Sequence, residues 1–112
     1  MVQYPGTVLD LTFTALGDAH RRQILDRLGA GPVTISELAV PLDMSLPGVL
    51  KHVRALERAR LIVTEKRGRV RWCRLGERPL ESASAWIVER QELWERRLDR
   101  FQTSLDDVEP GR

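Results

Sequence analysis

Residues 61–75, LIVTEKRGRVRWCRL, change the period of this chain from helical spacing to that of strands. The run is dense in β-branched and aromatic residues, and Gly68 lies near its middle. That pattern reads as a β-hairpin with an Arg-Gly-Arg tip. Lys66, Arg67, Arg69 and Arg71 crowd the tip, which is a poor choice for a hairpin packed on both faces. The apolar residues therefore belong at its base, and the cations project. The pattern fits either Trp72 or Cys73 facing the core.

The segments before the hairpin are punctuated as helices. Leu9, Leu11, Phe13 and Leu16 form a short apolar stretch ending at Gly17, read as a first helix, although Leu9, Leu11 and Phe13 also alternate like a strand. Asp18 can cap a second helix with Ile24, Leu25 and Leu28 on its inner face, ended by Gly29-Ala30-Gly31-Pro32. Val33 can add one short extended pairing. Thr34-Ile35-Ser36-Glu37 has the capping-box pattern and starts a helix that Pro41 keeps short. After Asp43-Met44, Ser45 caps another helix with Pro47 in its first turn. Val49, Val53 and Leu56 share one face of it; Lys51, His52, Arg54 and Arg58 fall on the others. Two short helices joined by so tight a link form a helix-turn-helix unit.

From Pro79 to about residue 105, Leu80, Ala83, Ile87, Trp94, Leu98, Phe101 and Leu105 recur at steps of three, four or seven. This predicts one amphipathic helix of roughly 40 Å. A helix that long cannot bury its stripe against so small a domain. With the first helix it forms the expected dimer interface, carried by Leu11, Phe13, Ile87, Trp94, Leu98 and Phe101. The other reading is a monomer whose last helix folds back on its own core. Residues 106–112 are expected to be a disordered tail. The 112 residues are expected to form a single domain, with its core over 9–75.

Charge separates along the chain. Residues 45–74 hold nine cations, Lys51, Arg54, Arg58, Arg60, Lys66, Arg67, Arg69, Arg71 and Arg74, against Glu57 and Glu65. The rest of the chain is acidic on balance. A basic centre between acidic ends points to a polyanionic partner for the centre alone, against the plainer reading of a solvated surface. No run of eighteen apolar residues exists, so no membrane span is expected. The opening MVQYPGTVLDLTFTALGD lacks the basic start and cleavage site of a secretory signal. The single cysteine, Cys73, excludes an internal disulfide and fits a reducing cytoplasm.

Local motifs resemble those of the ArsR/SmtB family of winged helix-turn-helix regulators. Ala15-Leu16-Gly17-Asp18-Ala19-His20-Arg21-Arg22-Gln23-Ile24-Leu25 is similar to the family's opening "aLadptRrrIL". Ile35-Ser36-Glu37-Leu38-Ala39 resembles "isELA". Residues 45–56, SLPGVLKHVRAL, resemble the recognition helix "SrpavSkHLkvLe". Leu61-Ile62-Val63, then Arg67-Gly68-Arg69 and Trp72, resemble the wing. The match covers roughly residues 9–75; its strength lies in four pieces in the right order. The resemblance implies a mainly α fold with a small β-hairpin, the N- and C-terminal helices forming the dimer interface. It also implies double-stranded DNA as partner, a homodimer, and a bacterial transcription regulator, most simply a repressor.

The resemblance further implies where metal sensors of the family keep their ligands: thiolates on the first helix of the helix-turn-helix, or Asp and His on the last helix. Here the first place reads Glu37-Leu38-Ala39-Val40-Pro41-Leu42, and the last helix has no histidine. One cysteine and two histidines cannot easily make a four-ligand site unless carboxylates or a second chain join. No metal and no cofactor are expected.

The recognition helix would set Ser45, Leu46, Pro47, Gly48, Lys51 and His52 against DNA. Ser45 suits the helix end and a phosphate, Lys51 guanine or phosphate, and Leu46 and Pro47 thymine methyls. Gly48 would permit close approach to the backbone. His52 fits two roles, a donor to DNA or a buried structural group holding the helix to the wing. Lys66, Arg67, Arg69 and Arg71 would reach the minor groove or phosphates. Arg21 and Arg22 either touch phosphates or pair with Asp18 or Asp26. Leu46 and Leu50 stand where the family more often has polar residues, so readout through DNA shape gains weight.

Two rival functions share the fold: a non-specific architectural DNA-binding protein, and a protein-interaction module. An enzyme is disfavoured, because no catalytic triad, phosphate loop or carboxylate pair stands out. The sequence is silent on an inducer. Cys73 fits a redox switch or, more simply, a small core filler.

Overall fold

A computed structural model describes residues 7–77 and 79–108. Among these, five helices and three strands follow in the order α1 (Val8–Leu16), α2 (Ala19–Leu28), β1 (Val33–Thr34), α3 (Ile35–Leu42), α4 (Leu46–Arg58), β2 (Ile62–Arg67), β3 (Val70–Leu75) and α5 (Glu81–Val108). The chain divides into two compact units, one ending at Glu81 and the other beginning at Ser82.

Local chemistry explains the first unit's helix starts. Thr7 and Asp10 form a reciprocal capping box, Asp10 N–H donating to Thr7 Oγ1 at 3.1 Å and Thr7 N–H to Asp10 Oδ2 at 3.2 Å. This decides between helix and strand for residues 8–16. Thr12, buried on the inner face, donates its hydroxyl to the Val8 carbonyl at 2.7 Å. Asp18 caps α2 through the Arg21 N–H. Thr34 and Glu37 make the second box, as expected, and Ser45 Oγ accepts from the Gly48 N–H to start α4. Pro41 has no N–H to donate back along α3, and the helix ends one residue later. Asp43 then takes a left-handed φ of 52° and turns the chain into α4.

The other end of α4 closes with a left-handed residue too. Arg60 has φ 63°, and the Leu61 N–H reaches back to the Leu56 carbonyl at 3.0 Å, the long bond of a Schellman closure. That turn feeds β2 directly. The hairpin bends at Gly68-Arg69, with Gly68 at φ 65° in the first of two turn positions, the one a type II′ turn reserves for glycine.

β3 is the central strand of an antiparallel sheet ordered β1-β3-β2. Val33 pairs with Cys73 and Thr34 with Trp72 on one side; Thr64 pairs with Cys73 on the other. Cys73 is thus the inward residue and is fully buried, whereas Trp72 is half-buried on the opposite face. The core joins Ile24 and Leu28 of α2, Leu38 of α3, Val49, Val53 and Leu56 of α4, and Leu61, Ile62 and Cys73. Each large side chain buried this completely contributes about 1.5–3 kcal/mol.

The second unit is a single long helix, about 42 Å by its 28 residues. It runs through Val108, so Asp106 and Asp107 are helical rather than the start of a tail; Gln102 Nε2 donates to Asp106 Oδ1 at 3.3 Å along it. Residues 109–112 of the expected tail lie outside the described residues. Every residue from Gln91 to Asp107 is exposed. Ile87, Trp94, Leu98, Phe101 and Leu105 hold heptad spacing within it. No helix of the described residues is long and apolar enough to cross a membrane.

Candidate nucleic-acid interface

α3, the Asp43-Met44 turn and α4 make the helix-turn-helix, and the hairpin stands beside it as the wing. A groove of about 450 Å³ runs between them, lined by Ile35 and Ser36 of α3, Leu46 and Leu50 of α4, and Arg69 and Arg71 of the wing. The start of the recognition helix and two wing arginines therefore border one space. At the start of α4, Ser45, Leu46 and Pro47 are exposed, as are Lys51 and Arg54 one and two turns on. Arg54, three residues after Lys51 on the adjoining strip of the helix, was not among the residues expected against DNA.

Gly48 is packed against its own turn. It is half-buried, and a Cβ there would sit 3.1 Å from Met44 Cε and 3.3 Å from Ser45 Oγ. Its small size serves the packing of the turn and cap.

The wing cations divide between its two faces. Lys66 and Arg71 are direct cross-strand partners, like charges side by side. Such a pair opposes folding unless an anion lies over it. Arg71 is also tethered: it donates to Thr64 Oγ1 at 3.0 Å, and that hydroxyl donates to Glu57 Oε2 of α4 at 2.7 Å. The chain of bonds holds the wing's inner face to the recognition helix. Arg67 belongs to the other face, 3.5 Å from Glu65 and with its guanidinium 5.5 Å from the Trp72 ring centre. Lys51, Arg54, Lys66 and Arg69, by contrast, meet no carboxylate among the described residues.

His52 does not join Lys51. It turns away from the groove, with its side chain 12% exposed, and its Nδ1 accepts from Arg21 Nε of α2 at 3.0 Å. Burial chiefly holds its pKa below the ordinary histidine value, so the ring is neutral at pH 7; the Asp18 charge opposes this and Arg21 adds to it. Its bond to Arg21 ties the recognition helix to α2 rather than to the wing. Arg22 donates to the Leu16 carbonyl at 2.6 Å. Arg21 also adds its charge beside Asp18, the pairing offered for it in sequence.

One cluster escaped sequence reasoning altogether. Asp18 and His20, at the start of α2, meet His52 of α4, with a ligand atom of each within 4.8 Å of the others. Asp18 has its own pKa lowered, first by the Arg21 N–H at the helix start. Elsewhere, burial pushes the Cys73 thiol up to about 11, so it stays protonated at neutral pH.

Of the residues expected at a dimer interface, Leu11 is half-buried and packs on the core of its own unit. Phe13 is 37% exposed; Trp94, Leu98 and Phe101 are 58%, 65% and 62% exposed.

Comparison with known proteins bears on this arrangement. A family described as a helix-turn-helix domain matches residues 16–65, from the end of α1 into the wing. The HTH-type transcriptional regulator Rv2034 of Mycobacterium tuberculosis is 33% identical over 97 residues, covering 87% of this chain and 88% of that protein. The crystal structure of an ArsR family transcriptional regulator is 48% identical, covering 80% of this chain and 98% of that one, with a TM-score of 0.75. This chain belongs to the ArsR family. It is a winged helix-turn-helix, DNA-binding transcriptional regulator. The homodimeric winged helix-turn-helix domain Mb0332 from Mycobacterium bovis shares the fold at 22% identity, with 83% of each chain covered and a TM-score of 0.60.

Proposed function

We propose that this regulator is a cytoplasmic homodimeric repressor that reads an inverted-repeat operator in double-stranded DNA. The observation that carries the DNA part is the set of exposed cations without carboxylate partners among the described residues, Lys51 and Arg54 on α4 and Lys66 and Arg69 on the wing, Arg69 lining the groove between the two elements. In this reading the start of α4 enters the major groove. Lys51 reaches guanine edges or phosphate, Leu46 and Pro47 meet thymine methyls, and Ser45 offers the helix end to a phosphate. Lys66, Arg69 and Arg71 follow the neighbouring phosphates or minor groove, with Arg67 in support. The reaction class is binding alone: the protein acts by covering promoter DNA.

Self-association draws support from α5, whose apolar residues at heptad spacing are exposed, and from the homodimeric relative of the same fold. A two-fold axis sets half-sites one helical turn apart, about 34 Å centre to centre.

The test is selection from random duplex DNA with the full chain at near-physiological salt. An enriched inverted repeat is expected. Measurable binding with no enriched sequence would replace the reading with a non-specific architectural one, which the apolar Leu46 and Leu50 at the groove favour.

A further inference from the structure

We propose that Asp18, His20 and His52 form a binding site for one divalent transition-metal ion of the zinc class. The three come from two helices. Asp18 Oδ1 lies 3.9 Å from His20 Nδ1 and 4.0 Å from His52 Nδ1. The imidazole rings are 5.5 Å apart at a tilt of 34°. These separations are too long for hydrogen bonds among the three groups; Asp18 Oδ1 and His52 Nδ1 instead each accept from Arg21, through its backbone N–H and its Nε. Two imidazoles and a carboxylate are the donor set that zinc, nickel and copper ions take, and the fourth position of such a site is commonly water.

The geometry needs little adjustment. Donors around a tetrahedral zinc ion are about 3.3 Å apart, from metal–nitrogen bonds of 2.0–2.1 Å. Asp18 is fixed as the α2 cap by the Arg21 N–H at 3.1 Å, which also orients its carboxylate. His52 is fixed by its place on α4 and is nearly buried. His20, with 49% of its side chain exposed, is the member free to rotate inward. Arg21 Nε donates to His52 Nδ1, so an ion taking that lone pair releases the guanidinium. The ion then replaces the Arg21–His52 bond as the link between α2 and the recognition helix.

This site lies neither on α3 nor on α5, where the family resemblance puts the ligands of metal sensors. Any effect of the ion on DNA rests on the operator-binding reading; binding of the ion does not, and its test contains no DNA. The probe is Co²⁺ titrated into the full chain without a histidine tag, followed by visible absorption. One saturable site per chain is expected, displaced by Zn²⁺, with no thiolate charge-transfer band because Cys73 is buried and protonated. His20→Ala should weaken binding on the order of tenfold or more, with unchanged circular dichroism. Asp18→Asn keeps an N-cap and should weaken it similarly. No saturable spectrum, or equal affinity in wild type and both variants, would overturn the proposal. A thiolate band would overturn it too, by moving the ligands to Cys73.

Discussion

The two units of this chain treat the same kind of residue in opposite ways. In the winged unit the apolar side chains predicted to face inward do so: Val49, Val53 and Leu56 of α4 are at most 2% exposed, and Leu61 and Ile62 join them. In α5, Trp94, Leu98, Phe101 and Leu105 are each at least 48% exposed, though their spacing is as regular. Periodicity states which residues share a face. It does not state what covers that face. The winged unit closes its own pattern, because helices and sheet meet around one core within about seventy residues. A single helix has no second layer within its own unit to cover its stripe.

The contrast breaks most sharply under mutation. Leu56→Ala removes a fully buried side chain from the centre of the core and should cost about 2–5 kcal/mol in urea unfolding. That loss should be the same at any protein concentration. A cost below about 1 kcal/mol would mean that the core is not where the winged unit's stability lies. Leu98→Glu should behave in the opposite way. At concentrations too low for self-association its effect on stability should stay within about 0.5 kcal/mol, as for an exposed site. Self-association measured by sedimentation should weaken roughly thirtyfold or more, the loss of one buried contact of about 2 kcal/mol. Equal sedimentation of variant and wild type would remove α5 from the interface.

The features legible in the sequence are those written by neighbouring residues. Thr34 and Glu37 are three apart, and so are Ser45 and Gly48, so their caps were readable as patterns. Gly68 between two arginines marked the bend of the hairpin for the same reason. What could not be read depends on pairings across the fold. His52 finds Arg21 thirty-one residues away, and nothing near His52 states which way its ring turns. Trp72 and Cys73 were interchangeable until β1 paired with β3 and fixed which face is inward. The grouping of Asp18 and His20 with His52 is of the same kind: two histidines counted in a sequence look too few for a metal, until packing brings a carboxylate between them.

The wing carries the finest version of the comparison, since its cations looked equivalent in sequence and are not. Arg67 is held by Glu65 and stacked near Trp72, and Arg71 is tied to Thr64. Arg69 sits in the turn itself, exposed and without a carboxylate among the described residues. A side chain already paired must give up that pairing to meet a phosphate, whereas Arg69 gives up only water. Each phosphate contact contributes about 0.9 to the slope of log affinity against log salt. Arg69→Ala should therefore flatten the slope by about one and weaken binding to specific and random duplexes by a similar factor. Arg67→Ala should flatten it less, because part of its charge is already spent on Glu65. Slopes measured for both variants between about 50 and 200 mM salt decide the matter. An unchanged slope in Arg69→Ala would take the wing tip off the DNA, and a larger change in Arg67→Ala would mean that binding pulls Arg67 away from Glu65 and Trp72.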